Sequence, residues 1–311
     1  MIQETRLDPN DFIYPLFVAE DLVEPKSIPS MPDVFQYSLD TISKKAKEVY
    51  RVGIPAILLF GIPSSKDPLG SRSYAKDGIV QKAVQEIKRL VPDLCVITDV
   101  CLCSYTSSGH CGIVNSKGEI ENDRSCELLA QIALSHAKAG ADIVAPSDMM
   151  DGRIHYIRTL LDEEGYEMTP ILSYAIKYAS SYYGPFRDAA DCAPQFGDRK
   201  TYQMDYANAW EAILEAHTDV DEGADMIIVK PALSYLDIVS KIHSQVAHPI
   251  ISYSVSGEYA MMKAAAEKGW ICYEDVLEET MTAMKRAGSS MIITYSALDI
   301  VKLLRKGKKG C

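Results

Sequence analysis

Short apolar runs recur along the chain and alternate with segments of helical spacing. The runs at 12–18, 56–60, 94–101, 142–145, 170–177, 225–230, 249–255 and 291–295 have strand length and β-branched content. Several are apolar almost without interruption, as in Met226-Ile227-Ile228-Val229. That is the pattern of a parallel strand covered on both faces, since an edge or half-exposed strand would alternate with polar residues. Between the runs, Trp210, Ile213 and Leu214 share one helical face, as do Leu277, Met281 and Met284. Glycine follows the helical segments in Ala139-Gly140, Glu222-Gly223 and Ala287-Gly288, where a left-handed cap would end each helix.

Eight strands with intervening helices predict a closed (β/α)8 barrel, an α/β TIM barrel. An open doubly wound sheet fits less well, because no Gly-x-Gly-x-x-Gly follows the first strand. No Ser/Gly-rich linker divides the chain, so residues 1–311 read as one catalytic domain. The 306–310 stretch, Lys-Gly-Lys-Lys-Gly, reads as a solvated tail.

Composition narrows the class. At 47% hydrophobic and 24% charged, the 311 residues have the makeup of a folded protein with a sizeable core. The net charge of −11 speaks against nucleic acid and against anionic membranes as partners. No apolar run reaches the ~20 residues of a membrane span, and the N-terminus lacks the apolar core of a signal peptide. Eight cysteines in a chain this long are too sparse for a disulfide scaffold, which fits a cytoplasmic protein.

In a barrel, chemistry gathers where strands end. Here the third strand runs into Asp99-Val100-Cys101-Leu102-Cys103, the fourth into Pro146-Ser147-Asp148, and the fifth into Lys177. The sixth ends at Lys230, the seventh at Ser254-Val255-Ser256 and the eighth at Tyr295. Lys177 and Lys230 close consecutive strands, and neighbouring strands lie about 4.8 Å apart. Two ammonium groups about 6 Å apart repel by roughly 2.8 kcal/mol at an effective dielectric of about 20, and burial adds to that. An amine kept neutral in this way attacks a ketone and forms a Schiff base.

Cys101, Cys103 and Cys111 form a second candidate. If the pleat continues past the strand, Cys101 and Cys103 face one way, and the loop 104–110 folds Cys111 back to them. Three thiolates make a soft site suited to zinc with a fourth position open; His110 closing that position ranks below the open reading. Cys95, Cys126 and Cys272 read as small buried hydrophobes, and Cys192 and Cys311 are unassigned. The polar stretch 182–203 has the length of a lid. Its arginines suit a carboxylate, which a guanidinium grips through two oxygens.

At these residues the sequence resembles the porphobilinogen synthase (δ-aminolevulinic acid dehydratase) family. The resemblance rests on Asp99-Val100-Cys101-Leu102-Cys103 with Gly109-His110-Cys111-Gly112, and on Ala145-Pro146-Ser147-Asp148-Met149-Met150-Asp151-Gly152-Arg153. It continues through Lys177-Tyr178-Ala179-Ser180, Arg187-Asp188-Ala189, Val229-Lys230-Pro231-Ala232-Leu233 and Val255-Ser256-Gly257-Glu258-Tyr259. The resemblance implies a lyase that condenses two molecules of 5-aminolevulinate to porphobilinogen in tetrapyrrole (heme) synthesis. Lys230 would hold the substrate that becomes the propionate side and Lys177 the one that becomes the acetate side. Asp99 and Ser147 would assist proton transfer, and Cys101, Cys103 and Cys111 would carry zinc. Arg187, Arg199 and Gln203 would bind one carboxylate, Ser256 and Tyr295 the other. Glu215 matches a carboxylate that meets an allosteric magnesium at a subunit interface in some relatives. The resemblance also implies a homo-oligomer. The family's octamer rests on a longer N-terminal arm, and the match here begins almost at Met1, which leaves a dimer or another assembly open. Ser296 stands where a second tyrosine is common.

Overall fold

In the computed structural model, residues 2–306 are described, without the side chain of Lys306; the 307–310 part of the predicted tail, and Cys311, lie outside them. Eight parallel strands make up the barrel: β1 (Phe12–Ala19), β2 (Ala56–Ile62), β3 (Cys95–Val100), β4 (Ile143–Pro146), β5 (Leu172–Lys177), β6 (Met226–Lys230), β7 (Ile250–Ser254) and β8 (Met291–Thr294). Hydrogen-bonded neighbours run β4-β3-β2-β1-β8-β7-β6-β5. A parallel bridge between Val144 and Ile171, with the Val144 amide donating to the Pro170 carbonyl at 3.1 Å, joins β4 to β5 and closes the ring. All eight expected strands are present. Their ends differ by a residue or two, as where β8 stops at Thr294 and leaves Tyr295 in the turn.

The uninterrupted apolar runs have the expected cause. In β1, Ile13 and Phe17 point into the barrel, while Phe12, Tyr14, Leu16 and Val18 pack against the outer helices, so every residue of the strand is buried. Gly140 and Gly223 take left-handed φ of 101° and 108° behind their helices, the conformation a Cβ would oppose.

One helical face departs from expectation. Leu277, Met281 and Met284 are buried, but in the helix Trp210–Asp221 it is Ala212, Ala216 and Asp219 that pack inward. Trp210 and Leu214 are 83% and 65% exposed, because the small residues let the helix lie close to the barrel with its bulky side turned out. Among the cysteines read as buried hydrophobes, Cys126 is buried, whereas Cys95 begins a strand and Cys272 caps a helix, and both are only half-buried.

Candidate active site

The two lysines meet at the mouth of the barrel. Lys230 pairs in register with Lys177 across β5 and β6. A bulge makes both point inward: Ile227 opposes Ser173 and Val229 opposes Ile176, so two residues of β5, Tyr174 and Ala175, face one of β6. Ala175 and Ile176 therefore both turn outward, and Lys177 turns in, where strict alternation from Tyr174 would have sent it out. Each lysine is 5% exposed.

Lys230 lies in an aromatic box. Its Nζ is 4.4 Å from the ring centre of Tyr253, 4.9 Å from Phe186, 5.1 Å from Tyr174 and 5.3 Å from Tyr183. Burial lowers its pKa to about 7, with the Lys177 charge adding to the effect and Asp99 opposing it. Burial is thus the larger cause and charge repulsion the second. The Lys177 ammonium donates to the Ser147 carbonyl. Asp99 lies beside both: burial pushes its carboxyl up to about 6 against the pull of the Ser147 hydroxyl and the two lysines. One Asp99 oxygen has no protein partner, which leaves it available to a substrate. A base and an amine both titrating near neutrality suit proton transfer at physiological pH.

Cys101, Cys103 and Cys111 are buried, and their sulfurs all lie within 4.8 Å of one another, a group that could hold a metal ion. The Cys101 and Cys103 sulfurs are 3.3 Å apart. The pleat does not continue to bring them together. The strand stops at Val100, and the turn that follows directs the Cys103 amide at the Cys101 sulfur, 3.5 Å away. The lower-ranked reading of His110 as a ligand does not hold. Its Nδ1 meets the Tyr202 hydroxyl and its Nε2 the Phe196 carbonyl, each at 3.0 Å, so both ring nitrogens clamp the lid.

The chain matches the family described as Delta-aminolevulinic acid dehydratase over residues 1–303. It is 56% identical to the delta-aminolevulinic acid dehydratase of Bacillus subtilis over 98% of this chain and 94% of that protein. With the enzyme of the same name from Halalkalibacterium halodurans it is 52% identical over 99% and 94%. A crystal structure of delta-aminolevulinic acid dehydratase (porphobilinogen synthase) from Toxoplasma gondii, in complex with the reaction product porphobilinogen, superposes with a TM-score of 0.96 at 43% identity, covering 100% of this chain and 91% of that one. The chain belongs to the delta-aminolevulinic acid dehydratase family. With the family come its reaction class, a lyase of heme biosynthesis that forms porphobilinogen, and its barrel.

The remaining family positions divide in two. Arg199 (8% exposed), Gln203, Ser256 and Tyr295 are buried near the mouth, whereas Arg187 is exposed on the short helix Gly184–Ala189. The Gln203 amide nitrogen has no partner. Arg199 donates to the Gly109 carbonyl at 3.0 Å and to that of Cys192. Ser256 accepts from the Phe186 amide at 3.0 Å, and the Tyr295 hydroxyl lies 3.2 Å from that of Tyr253. Ser296 hydrogen-bonds the Tyr273 hydroxyl at 2.9 Å, outside the pocket lining. Glu215 lies on the helix Trp210–Asp221. It borders a cavity of about 390 Å³ on the outer face with Asp151, Asp219 and Glu222, and burial together with Asp219 raises its pKa.

Sequence reading missed the aromatic box. Its residues come from two strands, Tyr174 and Tyr253, and from the segment that follows β5, Tyr183 and Phe186, and no local spacing links them. Asp148, named at the end of the fourth strand but given no role, is fully buried next to Ser147, with its pKa raised to about 7 by burial against the pull of Arg153.

Proposed function

We propose that this chain joins two 5-aminolevulinate molecules with the loss of two waters, each ketone captured by one lysine. The observation that carries this is the register pairing of Lys177 and Lys230 over one buried pocket. The Lys230 amine, about half neutral at pH 7, attacks the ketone carbon, and the nitrogen's surplus proton passes toward the departing hydroxyl as water. Asp99, held by Ser147 and protonated in part near neutrality, is placed to relay that proton. Lys177 performs the same capture on the second substrate. On the acetate-side substrate the protonated imine draws electrons from the adjacent carbon, which loses a proton and attacks the imine carbon held by Lys230. Lys177 is released when the amine of the substrate on Lys230 adds to the carbon that Lys177 holds and displaces it. Lys230 is expelled as a proton leaves the new C–C bond and the ring double bond forms, and the second amine remains as the aminomethyl group.

Three buried thiolates form a soft donor set that fits zinc, with Cys101, Cys103 and Cys111 as ligands. Bound there, zinc supplies Lewis acidity or a water of lowered pKa. Arg187, Arg199 and Gln203 would take one substrate carboxylate, and Ser256 with Tyr295 the other. Ser256 now bonds the lid helix, so serving the carboxylate requires the lid to yield. The acidic cavity at Glu215 suits a hydrated magnesium ion. Tyr206, Trp210 and Leu214 are exposed four residues apart, which supports a homo-oligomer. Among the described residues no helix is long and apolar enough to cross a membrane, in keeping with a cytoplasmic enzyme that forms one domain around the barrel.

Incubating the zinc-loaded protein with 5-aminolevulinate is expected to give a pyrrole that colours with acidic Ehrlich reagent. A zinc-replete, folded protein that yields none contradicts the reading.

A further inference from the structure

A fourth cysteine reaches the cluster from the lid. Cys192 is fully buried, and its side chain lies close to that of Cys103. Several independent contacts hold it there. Gly109 has a φ of 70°, and a Cβ on it would stand 2.3 Å from the Ala193 carbonyl, so the lid backbone lies directly on the cysteine loop. The Gln195 amide donates to the Ser108 carbonyl at 2.9 Å, and the clamp of His110 on Phe196 lies one residue further along.

Arg199 supplies a second observation. It is buried, its Nε has no hydrogen-bond partner, and its charge is felt by the sulfurs of Cys111, Cys103 and Cys192. A lone zinc trithiolate carries one net negative charge and a tetrathiolate two. A buried guanidinium with an unused donor near these sulfurs offsets part of that charge in the substrate-free protein, before a substrate carboxylate takes it up.

We propose that Cys192 is a displaceable fourth thiolate ligand of the metal in the substrate-free protein. This rests on the reading of Cys101, Cys103 and Cys111 as the metal site. Cys192 touches Cys103 but does not belong to the mutually close group of three, so it stands at the rim of the site, on the movable element. Three ligands are fixed by the barrel, and the fourth leaves with the lid. On leaving it becomes a thiol, taking the proton that the incoming water or hydroxyl group gives up on binding the metal. Ligand charge is thereby conserved, and the open position that catalysis needs is exposed only when substrate arrives.

X-ray absorption at the zinc edge of the wild-type holoprotein tests this. Four sulfurs at about 2.3 Å are expected in the resting protein, and three sulfurs with one oxygen or nitrogen in Cys192→Ala. In the cobalt-substituted wild type, 5-aminolevulinate should lower the thiolate charge-transfer band by about a quarter, as one of four sulfurs departs, and leave that of Cys192→Ala unchanged. Three sulfurs plus a lighter ligand in the resting wild type overturns the inference while leaving the zinc site intact. Failure to retain one zinc per chain overturns the metal reading together with it.

Discussion

Lys177 and Lys230 face one another in register because β5 carries one residue more than β6 between Ser173 and Lys177. The extra residue turns an outward lysine inward. A pair of amines results, of which Lys230 is deprotonated by half near neutral pH.

That pKa sets a pH profile. Capture of a ketone at Lys230, followed by borohydride reduction and mass spectrometry, is expected to rise between about pH 6 and 8 and then level off. An ordinary lysine would keep rising past pH 10, and at pH 7 its neutral fraction is about 10³-fold smaller. A trapping rate still climbing at pH 9 contradicts a depressed Lys230.

The same shift costs stability. The folded pKa of about 7 lies below the ordinary 10.5, so the unfolded chain binds more protons between these values and stability rises with pH across that window. Lys230→Met therefore removes a penalty that is greatest below pH 7. It is expected to abolish turnover while stabilising the protein by about 1–4 kcal/mol at pH 7, with the gain shrinking toward pH 10. Urea denaturation at pH 7 and 9.5 measures both; destabilisation at each pH contradicts the expectation.

The outer shell is held by a buried ion pair. Arg153 donates to Asp219 at 2.9 and 3.1 Å and to the Ser173 hydroxyl at 3.1 Å, with both charges about 2% exposed. Asp219→Ala leaves the guanidinium without its main partner and is expected to cost about 3–5 kcal/mol, read as a lowered denaturation midpoint. A loss below about 1 kcal/mol means that Asp148, 3.8 Å away, compensates.

Gly109→Ala tests the lid clasp. The left-handed backbone alone costs about 1–2 kcal/mol for alanine, and the added methyl meets the Ala193 carbonyl. Amide exchange at Gln195 is expected to speed up by roughly tenfold, and KM for 5-aminolevulinate to rise. Unchanged exchange at Gln195 contradicts the clasp.

Barrel, strand order and reactive strand ends were all written in the apolar runs, because a strand buried on both faces needs little else to declare itself. The direction of Lys177 was not, since a bulge leaves no mark in an apolar run. The exposed face of Trp210 and Leu214 misled for a related reason: periodicity reports an apolar stripe and not what covers it. Cys192 carried no local motif, and its meeting with Cys103 depends on the path of the lid.

The most direct measurement is borohydride trapping of zinc-loaded protein with 5-aminolevulinate, followed by peptide mapping. Reduced adducts are expected at both Lys177 and Lys230, each lost when its own lysine is replaced by methionine. An adduct confined to one lysine, with porphobilinogen still formed, contradicts double capture.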